Sequence, residues 1–405
     1  MALVKWRTPR AREFTVIVAG DFCPRECNWP RVAEHASEIV DEIKPEFDAC
    51  DLRILQWECA VTDRGEPITK SGPNLRCGEP TLNFATALGI DVALLANNHT
   101  GDYGPAGVTD TIAAIRKRGI ATVGAGADPE EAAKPLFLEH GGVRIAILNF
   151  CENEFGGVRP GRPGTNPLDP LRNLAQIRET RPKADVLLVT VHGGHEYNPY
   201  PSPRMVETYR AFAEAGADAV WNCHTHCPEG CEIRNGVPII YSPGNFYFPP
   251  GDNALPSWKT GYLSKFYCDE AGVYALETIP YGFDCDRIRP LKGETKVAAE
   301  AYLAELARPL SDPARLQSLF ESWCTKGGAH YIAQVNSATE AVWPPDWSDP
   351  ETIRRWIHVR NLFNCESHTD LLRHYTRLIE ERRFAEARKG VPEIEALQTP
   401  GFITW

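Results

Sequence analysis

Val191-His192-Gly193-Gly194-His195-Glu196-Tyr197, followed downstream by Cys223-His224-Thr225-His226 and Tyr241-Ser242-Pro243-Gly244-Asn245-Phe246, decides how this chain is read. The apolar run 187–191 reads as a buried strand that ends at His192, and 217–221 reads as the next strand, ending just before His224. The histidines therefore fall within one strand-helix-strand unit, at neighbouring strand ends. In an open α/β sheet the carboxyl ends of strands are where ligands sit, so two adjacent ends carrying imidazole point to a metal site more than to a core.

Upstream the pattern repeats. The β-branched run 14–20 hands over Asp21, the shorter run 53–57 delivers Glu58, and 91–96 delivers Asn97-Asn98-His99, with Asp102 one turn later. A single strand-end Asp is ordinarily a cap or turn residue. A succession of ends presenting Asp, Glu, Asn-His, His and His-x-His is hard to explain by local structure alone.

These residues carry a resemblance. Gly20-Asp21, Gln56-Trp57-Glu58, Asn97-Asn98-His99 with Asp102 and Gly104, Gly124-Ala125-Gly126, the His192 to Tyr197 stretch, Gly216-Ala217-Asp218, His224-x-His226 and the Tyr241 to Phe246 stretch together resemble the calcineurin-type metallophosphoesterase superfamily. Within it the likeness is to the bacterial capsule-synthesis, CapA-type poly-γ-glutamate branch, over the first two-thirds of the chain. The resemblance implies an α/β sandwich of two mixed β-sheets flanked by helices. It also implies metal ligands Asp21, Glu58, Asn98, His192, His224 and His226, with Glu58 bridging, and His99 beside the metals as an acid or electrostatic group. There are departures: Asp21-Phe22-Cys23 stands where the wider pattern has Asp-x-His, and Gln56-Trp57-Glu58 where the branch has Asn-Leu-Glu. Cys223 and Thr225 replace a common glycine and proline. Cys23 could supply a thiolate to a borderline ion, or the first position could have fewer protein ligands and more water.

Two cations bridged by one carboxylate lower the pKa of a bound water and clamp the attacking and leaving oxygens of an in-line displacement. The oxygen and imidazole mixture suits two divalent transition-metal ions, Mn, Fe or Zn, better than Ca²⁺ or Mg²⁺. His99 could reach the leaving group, with Asp102 orienting its ring, or could simply cap the following helix. His195, Glu196 and Tyr197 read as pocket-lining, substrate-binding candidates, each with a plain loop or packing alternative. Asn245 reads as a further substrate contact or as a tie for its turn. Gly124-Ala125-Gly126 lacks the third glycine of a dinucleotide fingerprint, and neither a phosphate-cradling Gly-Lys-Ser/Thr loop nor a Gly-x-Ser-x-Gly elbow is present.

At 405 residues the chain can build one large α/β unit with an appended piece, taken here as 1–286 and 287–405. Its formal charge of −11 argues against a nucleic-acid partner, and the basic run 373–389 is interleaved with Glu380, Glu381 and Glu386. No leader pattern or apolar stretch of ~20 residues is visible, so the expectation is a cytoplasmic protein without a membrane anchor. Thirteen cysteines without a framework fit reduced thiols. Cys223, Cys227 and Cys231 recur every four residues and raise the question of a separate zinc or iron-sulfur site. Helical spacing marks 295–306, 313–326, 349–363 and 367–386, with Trp343-Pro344-Pro345-Asp346-Trp347 as a connecting loop. This helical appendage could lid the metal pocket, supply specificity or mediate a dimer.

The expected function is metal-dependent hydrolysis of a phosphoester on a small-molecule or peptide substrate. The alternatives are an amide hydrolase or transferase acting on a γ-glutamyl or peptide conjugate, and a non-catalytic capsule-assembly accessory. Oligomeric state is left open.

Overall fold

Strand Phe14–Phe22 shows why the chain folds as it does. Val16 and Val18 enter one buried cluster with Ile54, Val92 and Leu94, while Ile17 and Ala19 enter another with Leu55, Ala93 and Leu95. Side chains alternate across a strand, so a continuous apolar run means that both faces are covered. The first cluster includes the layer between two sheets, where Ile145, Ile147 and Leu188 join it and Trp221 Nε1 donates across to Ser264 Oγ at 3.3 Å. The second lies under helices Trp29–Val40, Asn83–Leu88 and Gly104–Lys117.

The computed structural model describes residues 3–251, 254–339 and 346–403. One mixed sheet holds strands Phe14–Phe22, Leu52–Trp57, Val92–Leu94 and Ala121–Val123 in parallel, with Thr260–Asp269 and Gly272–Phe283 added antiparallel. The other runs Val143–Cys151, Val186–His192, Ala219–Cys223 and Val237–Ile240 in parallel between antiparallel edges Leu136–His140 and Cys231–Arg234. Helices Pro170–Thr180 and Pro203–Glu214 cover its outer face through Ile177, Met205, Tyr209 and Phe212. The expected sandwich of two mixed sheets flanked by helices is therefore what forms.

Gly20 lets two strand ends meet. The pairing of Phe14–Phe22 with Leu52–Trp57 slips between Ala19 and Asp21, and strand Asn245–Tyr247 then runs parallel to the strand's tip with Asn245 opposite Asp21. A Cβ on Gly20 would lie 2.0 Å from the Gly244 carbonyl oxygen, so only glycine lets the two segments meet. Gly244 itself takes φ of 80°, the left-handed conformation that glycine permits.

The helical portion begins later than the sequence suggests. The division at 287 falls inside a hairpin, because strand Ile288–Pro290 pairs with Gly272–Phe283, and the first appended helix is Gly293–Ala307. Leu303, Leu306, Leu310, Leu316 and Leu319 belong to the same continuous apolar cluster as the outer-face helix Pro203–Glu214, so these helices close on the sandwich. The expected helix 313–326 continues as Pro313–Thr339 through Gly327-Gly328, where the Tyr375 ring lies so close that a Cβ on Gly328 would be 2.0 Å from it. The expected helix 367–386 splits into Glu366–Glu380 and Phe384–Ala387, because Arg382 turns left-handed at φ 58°. Trp343, Pro344 and Pro345 of the expected connecting loop lie outside the described residues. Among the described residues no helix is long and apolar enough to cross a membrane.

Candidate metal centre

Asp21 ends strand Phe14–Phe22 and Glu58 follows Leu52–Trp57. Asn98 stands in the turn after Val92–Leu94, His192 ends Val186–His192, and His224 and His226 follow Ala219–Cys223. All six side chains are buried. The structure brings them into two touching groups. Around His192 Nε2 stand Asn98 Oδ1 at 3.1 Å, His224 Nδ1 at 3.0 Å and Glu58 Oε1 at 3.3 Å. On the other side His226 presents Nε2 to Glu58 Oε1 at 3.9 Å and Nδ1 to Asp21 Oδ2 at 3.7 Å. Glu58 thus faces both groups. His224 and His226 both adopt positive φ, at 109° and 55°, which is costly for a residue with a Cβ and which aims both rings inward.

The electrostatics describe a site short of positive charge. Burial and the neighbouring Glu58 raise Asp21 to about 6, and burial lowers His192 and His224 to about 4. Burial also disfavours charge on His226, but Glu58, Glu196 and Asp21 outweigh it and the net shift is upward. Asp21 Oδ1 and both Glu58 oxygens are buried without a hydrogen-bond donor. Leaving such oxygens unsatisfied costs about 1–3 kcal/mol or more each. A cation among buried carboxylate oxygens, imidazole nitrogens and one carboxamide removes that cost, and this donor set fits divalent transition metals.

Supporting contacts fix the orientations. Asn245 Oδ1 lies 2.8 Å from His226 Nδ1, while its Nδ2 donates to the backbone oxygens of His226 and Trp258. Nδ1–H of His226 therefore points at Asn245 and Nε2 is left as the donor atom. Asn98 Nδ2 donates to Glu154 Oε2 at 2.6 Å, which turns Asn98 Oδ1 inward. His99 Nδ1 lies 2.6 Å from Asp102 Oδ2, and Lys70 Nζ donates to Asp102 Oδ1 at 2.7 Å. Burial opposes ionisation of Asp102, but His99 and Lys70 outweigh it and hold the carboxyl low.

Other expectations are revised. Cys23 does not join Asp21: its thiol faces Cys59, which lies 3.4 Å from Cys77 Sγ. Cys223 takes that neighbourhood instead, with its Sγ 3.4 Å from His192 Nδ1 and in a group with Asp21. Cys227 bonds Asn198 and Cys231 sits in an edge strand, so the four-residue spacing makes no cluster. His195 does not line the pocket as expected. Its Nε2 meets the Ser367 carbonyl oxygen at 2.8 Å and its ring packs edge-on against Phe320, because the Gly193-Gly194 turn swings it toward the C-terminal helices. Asn245 is a positioning residue, fully buried behind His226, and not an open substrate contact. Glu196 is exposed, and Tyr197 stacks on Trp258, which itself packs on the His226 ring.

Sequence reasoning missed two residues. Glu154 follows Val143–Cys151, one more strand end with a carboxylate, and that position was the available signal. Lys70 comes from a loop and carried none.

Residues 15–250 match the family described as bacterial capsule synthesis protein PGA_cap. Over 249 residues the chain is 32% identical to the PGA biosynthesis protein CapA of Bacillus subtilis strain 168, covering 60% of this chain and 65% of that protein. It is 30% identical over 213 residues to the capsule biosynthesis protein CapA of Bacillus anthracis, 51% of each. The chain thus spans between half and two-thirds of these relatives. Among solved structures, a phosphatase from Mycoplasma pneumoniae aligns over 67% of this chain and 94% of that one, at 17% identity and a TM-score of 0.44, too distant to bear on the chemistry.

Proposed function

The chain belongs to the bacterial capsule synthesis protein family PGA_cap, and from that footing we propose that it is a metal-dependent hydrolase acting on a phosphoester. The observation that carries the reading is the convergence of donor-less buried oxygens on Asp21 and Glu58 with Asn98 and three imidazoles. Asn98, His192, His224 and Glu58 would hold one ion, and Asp21, His226 and Glu58 the other. Two divalent ions there supply Lewis acidity and a water nucleophile available near neutral pH. His99, oriented through Nδ1 by Asp102, is left with Nε2, which would take up a proton from solvent and pass it to the leaving oxygen. Lys70 keeps Asp102 ionised so that this orientation persists.

The names of the relatives favour a second reading, an amide hydrolase or transferase on a γ-glutamyl chain, because the same donor set polarises a carbonyl as well as a phosphoryl group. Elemental analysis of protein purified without a chelating tag tests the premise common to both. About two transition-metal ions per chain, reduced in His224→Ala, support it. No bound metal, and none taken up from Mn²⁺, Fe²⁺ or Zn²⁺, would sink it. Turnover of a chromogenic phosphodiester against a γ-glutamyl anilide then separates the two.

A further inference from the structure

Beyond Glu154 the chain makes the turn Arg159-Pro160-Gly161-Arg162, with Gly161 at φ 72°. Proline followed by a left-handed glycine at the two central positions is the chemistry of a type II turn. Arg159 and Arg162 exchange backbone hydrogen bonds in both directions, at 3.1 and 2.9 Å. Such a pair stands directly opposite on one face, so the turn directs both exposed arginine side chains to the same side. Like charges placed opposite each other are unfavourable in the absence of a ligand.

A third cation completes the group. Arg360, from helix Pro350–Asn364, donates Nη1 to the Glu154 carbonyl oxygen at 2.8 Å. All three arginines line one cavity of about 550 Å³, together with Thr69, Phe155 and Glu154. Among the described residues, none of the ion pairs involves Arg159, Arg162 or Arg360, although the chain carries 54 acidic residues against 43 basic ones. Burial, with the charges of Arg159 and Arg162, lowers Arg360 from its usual range. The Glu154 carboxylate gives little relief, because it is bonded to Asn98 and faces His368 at 3.6 Å.

The cavity adjoins the metal centre. Glu154 lines it and also bonds Asn98, and the loop is seated on the His99 to Asp102 turn: a Cβ on Gly101 would lie 2.5 Å from Gly156 Cα. Planar guanidiniums match the paired oxygens of carboxylates and phosphates. The volume exceeds what one such group needs and suits a ligand that continues toward the metal ligands.

We infer that this cavity is an oxyanion-binding subsite, in which Arg159, Arg162 and Arg360 hold the anionic flank of the molecule whose reacting bond lies at the metal centre. The clause about the reacting bond rests on the hydrolase reading, whereas the cavity's affinity for anions stands without it.

Calorimetric titration of the full chain at low salt tests this with two probes, γ-linked tri-glutamate and inorganic triphosphate. Both metal-loaded and metal-stripped protein are titrated, so that direct coordination is kept apart from the arginines. In metal-stripped protein, at least one probe binds, the affinity falls as salt is raised, and Arg159→Gln with Arg162→Gln weakens it about tenfold or more. Arg360→Gln does the same from the other wall, and the probe that binds identifies the oxyanion. Absence of binding by either probe, or equal binding by the variants, overturns the inference. Arginine-dependent binding in a protein that turns over neither phosphoester nor amide would sink the hydrolase reading and leave the subsite standing.

Discussion

The carboxamide of Asn98 donates to the Glu154 carboxylate at 2.6 Å, and by that bond its oxygen is turned to within 3.1 Å of His192 Nε2. A free carboxamide could present either end to a cation, and only the oxygen end binds one. Glu154→Gln replaces a charge-assisted bond with a neutral one that can form in either sense. Metal affinity at the Asn98 position is expected to weaken by about 10- to 100-fold, with the other position unchanged. Competition against a fluorescent chelator measures this, and equal affinity would show that something else orients Asn98.

Lys70, Asp102 and His99 form a chain of contacts in which Lys70 and Asp102 are almost wholly buried. Asp102→Asn removes the charge that holds the His99 ring. Turnover is expected to fall about 100-fold or more while KM and metal content hold. Lys70→Met acts differently, because it leaves a buried carboxylate without its cation, and unfolding free energy should drop by about 3 kcal/mol. Chemical denaturation of both variants separates the roles: a large stability loss in Asp102→Asn with intact turnover would contradict the assignment.

Gly20 carries no functional group, yet its replacement should reach the metal. In Gly20→Ala the new methyl meets the Gly244 carbonyl oxygen, a backbone atom that cannot rotate away. Separating those segments pulls Asn245 from Asp21 and so disturbs His226. A loss of about 3 kcal/mol in stability is expected, accompanied by reduced metal content. Full metal content in the variant would mean that the two strands tolerate displacement.

The strand ends bearing Asp21, Glu58, His192 and His224 are legible because each follows a run dominated by apolar residues, even where Arg53, Gln56 and Asn222 interrupt it. Glu154 sits at an equivalent end, but with no histidine nearby it reads as an ordinary turn carboxylate. Lys70 reaches Asp102 across a loop whose path no local pattern describes. His195 misled for a different reason: it shares a motif with His192, yet two glycines intervene, and Gly194 at φ 118° sends the ring to the opposite side. The expected helix stops at 326, short of Gly327-Gly328, because the partner that makes glycine necessary at 328, Tyr375, lies on another helix.

His195 now serves as a junction between the sandwich and the C-terminal helices, and its burial predicts how that junction responds to acid. Burial lowers it to about 4 from an ordinary 6.5. Between those values the unfolded chain binds a proton that the folded chain excludes, so acid favours unfolding. The stability held by the neutral ring is complete above about pH 6.5 and is lost as pH falls toward about 4. His195→Gln keeps a donor for the Ser367 carbonyl oxygen but does not titrate. Urea unfolding at fixed metal concentration should show the wild type losing about 2 kcal/mol more than this variant between pH 7 and 4.5. His192 and His224 titrate in both proteins and cancel in the comparison. Parallel stability curves would mean that His195 is reached by water and protonates without disturbing the contact with Ser367.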